Sequence, residues 1–218
     1  MKTVVCYGDS NTWGFKPKPA RPRMDSARFD SGVRWTCVLQ RLLGSGYRVE
    51  EEGLSGRTTA FDDPFDERRN GLRYLDVCLF TKMPVDLIIF MLGTNDMKEY
   101  LGVNAYLSAC GLERLIQKAK QGGYGPSGGC PEILVVSPAH LRENISGAWP
   151  GNEFGEGCLK KDADLNVYYK KAALENGCRF LDAGEIVRAS AADAVHLDEE
   201  NHAKLAEALY KEVIRIFE

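Results

Sequence analysis

The strongest constraint on this chain is a regular alternation of short β-rich runs with longer stretches whose apolar residues recur at helical spacing. Strand-like runs fall at Thr3–Tyr7, Tyr47–Glu51, Val85–Leu92, Glu132–Ser137 and Arg179–Leu181. Between them Val33, Cys37, Leu39, Leu42 and Leu43 follow a helical period, as do Leu72, Leu75, Cys78 and Leu79, then Leu107, Leu112, Leu115 and Ile116. Lys160–Asn176 and Glu199–Phe217 complete the helical set. Asp198 is placed to cap the last helix, and Leu205, Leu209 and Val213 form a stripe that must face the sheet. Parallel strands require long crossovers and burial on both faces. The alternation therefore predicts an α/β chain: a three-layer α/β/α arrangement around a five-stranded parallel sheet.

Right-handed crossovers leave few strand orders, and the flavodoxin-like order 2-1-3-4-5 is the natural one. It makes strands one and three neighbours, with a crevice beyond their C-terminal ends. A length of 218 residues suits one domain spanning 1–218. Two glycine-rich stretches interrupt the pattern: Gly122–Gly129, read as a loop excursion, and His140–Gly157, read as a long loop near the rim of the sheet.

The formal charge is −3, from 28 Lys and Arg against 31 Asp and Glu, so no basic field attracts a phosphate backbone and nucleic acid is not expected as a partner. The Val85–Leu92 run is broken by Asp86 and falls well short of the ~20 apolar residues that span a bilayer, so no membrane partner is expected. Seven widely spaced cysteines lack a C-x-x-C pair and mostly sit inside apolar patterns, as reduced buried thiols do. With no signal-like stretch before the first strand, a cytoplasmic location is expected.

Chemistry-bearing residues cluster at strand ends. Gly8-Asp9-Ser10 follows the first strand, Gly56 the second and Gly93-Thr94-Asn95-Asp96 the third, while Asp193-Ala194-Val195-His196 lies near the C-terminus. A serine hydroxyl becomes a nucleophile only when a base takes its proton, so the constellation needs an oriented imidazole. Of His140, His196 and His202, only His196 has a carboxylate three residues upstream, Asp193. The expected catalytic residues are Ser10, Asp193 and His196. The Ser10 and Gly56 backbone N–H groups and the Asn95 amide are the expected oxyanion donors. Trp13, three residues past Ser10, is the expected substrate-binding wall, with Trp149 a second aromatic candidate. Neither a metal nor a cofactor is expected.

These blocks, in this order, resemble the SGNH hydrolase family, also called GDSL-like lipases and esterases, over almost the whole chain. Asn11 stands where the older G-D-S-L spelling has leucine. Val33-Arg34-Trp35, Glu51-Glu52-Gly53-Leu54-Ser55, Arg57-Thr58-Thr59, Asp62-Asp63-Pro64 and Met91–Asp96 closely resemble the bacterial arylesterase/acyltransferase (perhydrolase) branch. That resemblance implies a serine esterase acting on small acyl esters, acyl transfer as a companion activity, and a homo-oligomer that narrows the active-site entrance. No G-x-S-x-G elbow is present, which disfavours the α/β-hydrolase fold despite the same Ser, Asp, His order.

Other readings stand beside this one. Ser10 alone is an ordinary helix cap, and Asp9 alone fits the nucleophile of a haloacid-dehalogenase-like phosphatase, although Asn11 replaces the second aspartate of that design. A non-catalytic ligand-binding or assembly subunit keeps the sheet without turnover. Asp62, Asp63, Asp66, Glu67, Arg68 and Arg69 read as a solvated charged face, His202 as packing, and His140 as a loop histidine.

Overall fold

The computed structural model describes residues 1–218. Its strands are β1 (Lys2–Gly8), β2 (Tyr47–Gly53), β3 (Leu87–Met91), β4 (Glu132–Ser137) and β5 (Arg179–Asp182). They form a five-stranded sheet in the order β2-β1-β3-β4-β5, with every neighbouring pair parallel. Seven helices accompany it: α1 (Ser10–Trp13), α2 (Trp35–Leu43), α3 (Gly71–Phe80), α4 (Ala105–Gln121), α5 (Gly151–Phe154), α6 (Cys158–Glu175) and α7 (Glu199–Phe217). The α/β architecture and strand order match the expectation from sequence.

The two faces of the sheet follow the period of two along each strand. Val4 and Cys6 of β1, with Leu87 and Ile89 of β3, pack with Trp35 and Leu39 of α2 and with Leu205, Leu209 and Val213 of α7. Val5, Tyr7, Ile88 and Phe90 point the other way, onto α3, α4 and α6 through Leu75, Leu115 and Leu165. Asp198 caps α7 by accepting from Asn201 N, and the stripe it launches is wholly buried. At about 1.5–3 kcal/mol for each fully buried aliphatic side chain, that stripe alone fixes the helix to the sheet.

Several boundaries differ from the sequence pattern for local reasons. β3 begins at Leu87 because Asp86 is engaged before the strand: its carboxylate accepts from Thr3 N at 2.8 Å and its own N–H donates to Thr3 O. Leu42 and Leu107, both counted in helical patterns, are exposed. The His140–Gly157 stretch is not an open loop. It holds a 3-10 turn at Glu143–Gly147 and α5, and it buries Ile145 and Phe154 in the core. The Gly122–Gly129 excursion is a closed turn, with Gly125 N donating to Gly129 O at 2.8 Å and Tyr124 buried against Asp76.

Candidate active site

Ser10 begins α1 immediately after β1, and Asp9 caps that turn by accepting from Asn11 N at 3.0 Å. Gly14 ends it in the left-handed region, φ 87°. Ser10 is thus held in place where β1, an interior strand beside the central β3, reaches the rim. Its Oγ lies 2.9 Å from His196 Nε2, and His196 Nδ1 lies 2.8 Å from Asp193 Oδ2. A carboxylate only accepts, so Nδ1 carries the ring proton and Nε2 of the neutral imidazole accepts from the Ser10 hydroxyl.

The Asp193–His196 turn is organised around its carboxylate. Asp193 Oδ1 accepts from Val195 N at 3.1 Å and His196 N at 2.9 Å, and Ala194 takes φ 67° to close the turn. Asp193 is fully buried, which dedicates it to these donors. Asn11 then clamps the turn to the serine. Its Oδ1 accepts from Leu197 N at 2.9 Å and its Nδ2 donates to Val195 O at 3.3 Å, one contact on each side of His196.

Gly56 follows β2 with φ 85°, and a Cβ there would lie 2.5 Å from Arg69 Nε. Asn95 begins a 3-10 turn after β3, and its Nδ2 donates to Arg57 O at 3.1 Å, tying the β3 end to the β2 loop. Arg57 itself is buried, donates to Gly8 O at 3.0 Å and lies over the Tyr7 ring at 4.2 Å. Ser10, Gly56, Asn95 and His196 share one groove of about 390 Å³, and Trp13 and Trp149 line it as well. Every residue singled out from sequence for this site is therefore brought to one place.

Two buried carboxylates brace the strand-end turns behind the groove. Asp9 is pushed up to about 6 by burial, although the Asn11 backbone bond and nearby His196 oppose the shift. Asp96 is also pushed up to about 6, mainly by burial, against hydrogen bonds from Ser108 and Thr59. Asp9 directs Oδ1 to Asn11 N and Oδ2 to Asn95 Nδ2, and it does not line the groove. It supports the serine turn and offers no nucleophile to the groove, which removes the basis of the phosphatase reading. No group of three or more His, Cys, Asp or Glu side chains is gathered as metal ligands.

The sequence reading missed other parts of the site. Phe15 stacks on His196 with centroids 4.2 Å apart, and Trp149 flanks both, 6.2 Å from Phe15 and 6.5 Å from the imidazole. The only sequence signal for Phe15 was its nearness to Ser10. The charged run 62–69 is only in part the solvated face expected: Asp62, Glu67 and Arg68 are exposed, but the rest turns inward. Asp63 is buried and accepts from Arg69 Nη1 at 2.8 Å and Tyr100 Oη at 2.9 Å, while Asp66, Arg68 and Arg69 line the groove. His140 pairs with Asp162 at 2.9 Å and does not line the groove. His202 is buried packing whose Nδ1 accepts from Trp35 N.

A five-stranded parallel α/β/α sheet with these blocks at its strand ends is the fold of SGNH-type ester hydrolases. Residues 6–204 match the GDSL-like lipase/acylhydrolase family model, and the chain belongs to that family. An M. smegmatis aryl esterase, solved in an inhibitor-bound form, is similar at 39% identity and TM-score 0.91, with 99% of each chain covered. A carbohydrate acetylesterase from Sinorhizobium meliloti is similar at 36% identity and TM-score 0.91, covering 99% of this chain and 100% of that one. A lipase/acylhydrolase from Enterococcus faecalis shares the fold at 17% identity and TM-score 0.66, covering 98% of this chain and 95% of that one. No curated protein sequence matches significantly. The protein is a carboxylic ester hydrolase, and none of its helices is long and apolar enough to cross a membrane.

Proposed function

We propose that this esterase hydrolyses small acyl, acetyl-type esters through Ser10, His196 and Asp193 by way of an acyl-enzyme. The observation that carries the reading is the unbroken relay from Ser10 Oγ through the His196 ring to Asp193, with contacts of 2.9 and 2.8 Å. Ser10 Oγ attacks the ester carbonyl as His196 Nε2 takes its proton, and Asp193 stabilises the imidazolium that forms. The oxyanion is held by the Ser10 and Gly56 N–H groups and the Asn95 amide, each such donor being worth ~10²–10³ in rate. The tetrahedral adduct collapses, the C–O bond to the alcohol breaks, and His196 protonates the departing oxygen. Water, deprotonated by the same imidazole, then releases the acid and restores Ser10. These steps call for neither metal nor cofactor.

The preference for small acyl groups is supported by the similarity to an aryl esterase and a carbohydrate acetylesterase. Replacing Ser10 by Ala is expected to abolish p-nitrophenyl acetate turnover with the circular dichroism spectrum and melting curve retained. Wild-type-like turnover by that variant would falsify the assignment. The aromatic wall of Trp13, Phe15 and Trp149 favours capture of the acyl-enzyme by an alcohol or peroxide as well as by water. Product analysis in water containing alcohol tests this, and free acid as the only product rejects it. Seven unpaired cysteines support a cytoplasmic location. Exposed Tyr106, Val167, Tyr168 and Leu174 on α4 and α6 support assembly of several copies, which light scattering on purified protein checks.

A further inference from the structure

The groove that holds Ser10 is lined by four cations, Arg21, Arg68, Arg69 and Lys98, against two carboxylates, Asp66 and Glu153. Each carboxylate near it already has a dedicated partner. Asp66 accepts from Arg68 Nε and Nη2, both at 2.8 Å, and Glu153 lies 2.7 Å from Lys98 Nζ. The buried Asp63 behind Arg69 takes Arg69 Nη1 and the Tyr100 hydroxyl. This pairing leaves Arg21 with no ion pair or protein hydrogen bond. Arg69 is held between Asp63, through Nη1, and Asp66, 3.7 Å from its buried Nε. With Asp63 behind Arg69 and Asp193 behind His196 counted, the charges around the cleft balance, so the uncompensated positive field is local to Arg21.

The position of Arg21 says which part of a substrate meets that field. His196 Nε2 must hand its proton to the departing oxygen, so the alcohol portion of the ester leaves along the His196 side of the groove. The wall on that side is aromatic, Phe15 and Trp149 lying over the imidazole, and the Arg21 guanidinium sits over the Trp149 ring at 5.7 Å. Trp149 is fixed in turn by its Nε1 donating to Lys18 O at 3.1 Å, which joins the 140–157 segment to the segment carrying Arg21. The alcohol portion therefore meets a flat aromatic surface with an uncommitted guanidinium beside it. A guanidinium binds carboxylate or phosphate oxygens through parallel N–H donors, and the wall suits a ring carrying such a group.

Resting on the serine-esterase reading above, we propose that the preferred substrates are esters whose alcohol portion carries an anionic group, carboxylate or phosphate. Arg21 is the specificity-determining residue. The chemical steps at Ser10 are unchanged, and the anion remains on the released alcohol.

The test compares 4-acetoxybenzoate with its methyl ester, two aryl acetates that differ in one negative charge. For each, kcat/KM is divided by its hydroxide-catalysed rate constant to remove intrinsic reactivity. The normalised ratio of anion to neutral ester is expected to exceed about 3 for the wild type at low ionic strength, a surface charge pair's worth. It should collapse toward unity at about 0.5 M salt. Arg21→Gln should lower the ratio about threefold, and Arg21→Glu should bring it below unity. A wild-type ratio at or below unity, or one unmoved by Arg21→Glu, overturns the proposal while leaving the esterase reading intact. Failure to hydrolyse either ester, or hydrolysis that survives Ser10→Ala, overturns both. 4-Phosphorylated phenyl acetate, run alongside, separates phosphate from carboxylate preference.

Discussion

Replacing Asn11 by Ala should misplace the catalytic imidazole without touching any atom of the proposed relay. Asn11 is buried, makes two hydrogen bonds to the backbone on either side of His196, and does not line the groove. Alanine removes both bonds, worth about 1 kcal/mol each in net terms, with the 3.3 Å contact the weaker. It also strands the Leu197 N–H, whose residue is buried, and an unpaired buried amide costs about 1–3 kcal/mol. The expected loss is about 3–5 kcal/mol, read as a lower urea midpoint with an unchanged m-value. Once released from Asn11, the turn keeps the Asp193 bonds and the backbone bonds of Ser190 N to His196 O and Arg142 N to Ala194 O but loses its tie to the serine turn, and a shift of His196 by about 1 Å costs on the order of 10² in rate. On p-nitrophenyl acetate kcat should fall by ~10²-fold, with KM nearly unchanged because the groove walls are intact. A variant within about 0.5 kcal/mol and twofold in kcat of wild type would refute the clamp, since surface-like effects are of that size.

Asp193→Asn should keep the turn, because an amide oxygen still accepts from Val195 N and His196 N, but its NH2 forces the wrong His196 tautomer. A fall in kcat of ~10⁴ is expected, and a loss below tenfold counts against the relay. Gly56→Ala places a methyl 2.5 Å from Arg69 Nε at φ 85°, costing about 1–2 kcal/mol of backbone strain and displacing an oxyanion donor. Thermal melts and kcat should both fall, and an unchanged kcat would show that Gly56 N–H is not used. His202 is lowered to about 4 by burial, with His196 and Arg34 adding to the effect and Asp198 opposing it. The unfolded chain then binds more protons between about pH 6.5 and 4, so this contribution is complete above pH 6.5 and is lost as pH falls. It amounts to about 3 kcal/mol. His202→Asn, which keeps an acceptor for Trp35 N, should flatten the pH dependence of urea stability in that window, and an unchanged slope rejects the assignment.

Sequence reasoning reached the sheet because periodicity and burial are local: Val4 and Cys6 against Val5 and Tyr7 declare two faces before any contact is known. The relay was legible for a different reason. Asp193 and His196 are close in sequence, so their pairing is a property of one turn, and only its meeting with Ser10 needed the fold. The charged run 62–69 yields only its exposed members, Asp62, Glu67 and Arg68, to the same approach. Its composition matches a solvated face, and nothing local shows that Asp63 is buried beneath Tyr100 and Arg69. Asn11 was read only as a change of spelling, because its partners lie 184 and 186 residues away. Side chains whose role is a long-range hydrogen bond carry no period and no neighbour to betray them.

The two buried carboxylates explain why three separate strand ends stay in register at the groove. Asp96 accepts from Thr59 N at 2.9 Å, Thr59 Oγ1 at 2.6 Å and Ser108 Oγ at 2.6 Å, binding the turn after β3 to the loop after β2 and to α4. Ser108 also meets Tyr169 Oη at 2.9 Å, which extends the tie to α6. Asp9 holds the turn after β1 through Asn11 N and faces the Asn95 amide, which itself reaches the carbonyl of Arg57 beside Gly56. Burial penalises both anions, and that penalty is the reason both sit near 6. The hydrogen bonds that offset it are the same bonds that fix Ser10, Gly56 and Asn95 relative to one another. Donors held this way need no reorganisation when charge develops on the substrate oxygen, so the stability given up in burying these two anions is tied to the preorganisation that catalysis uses.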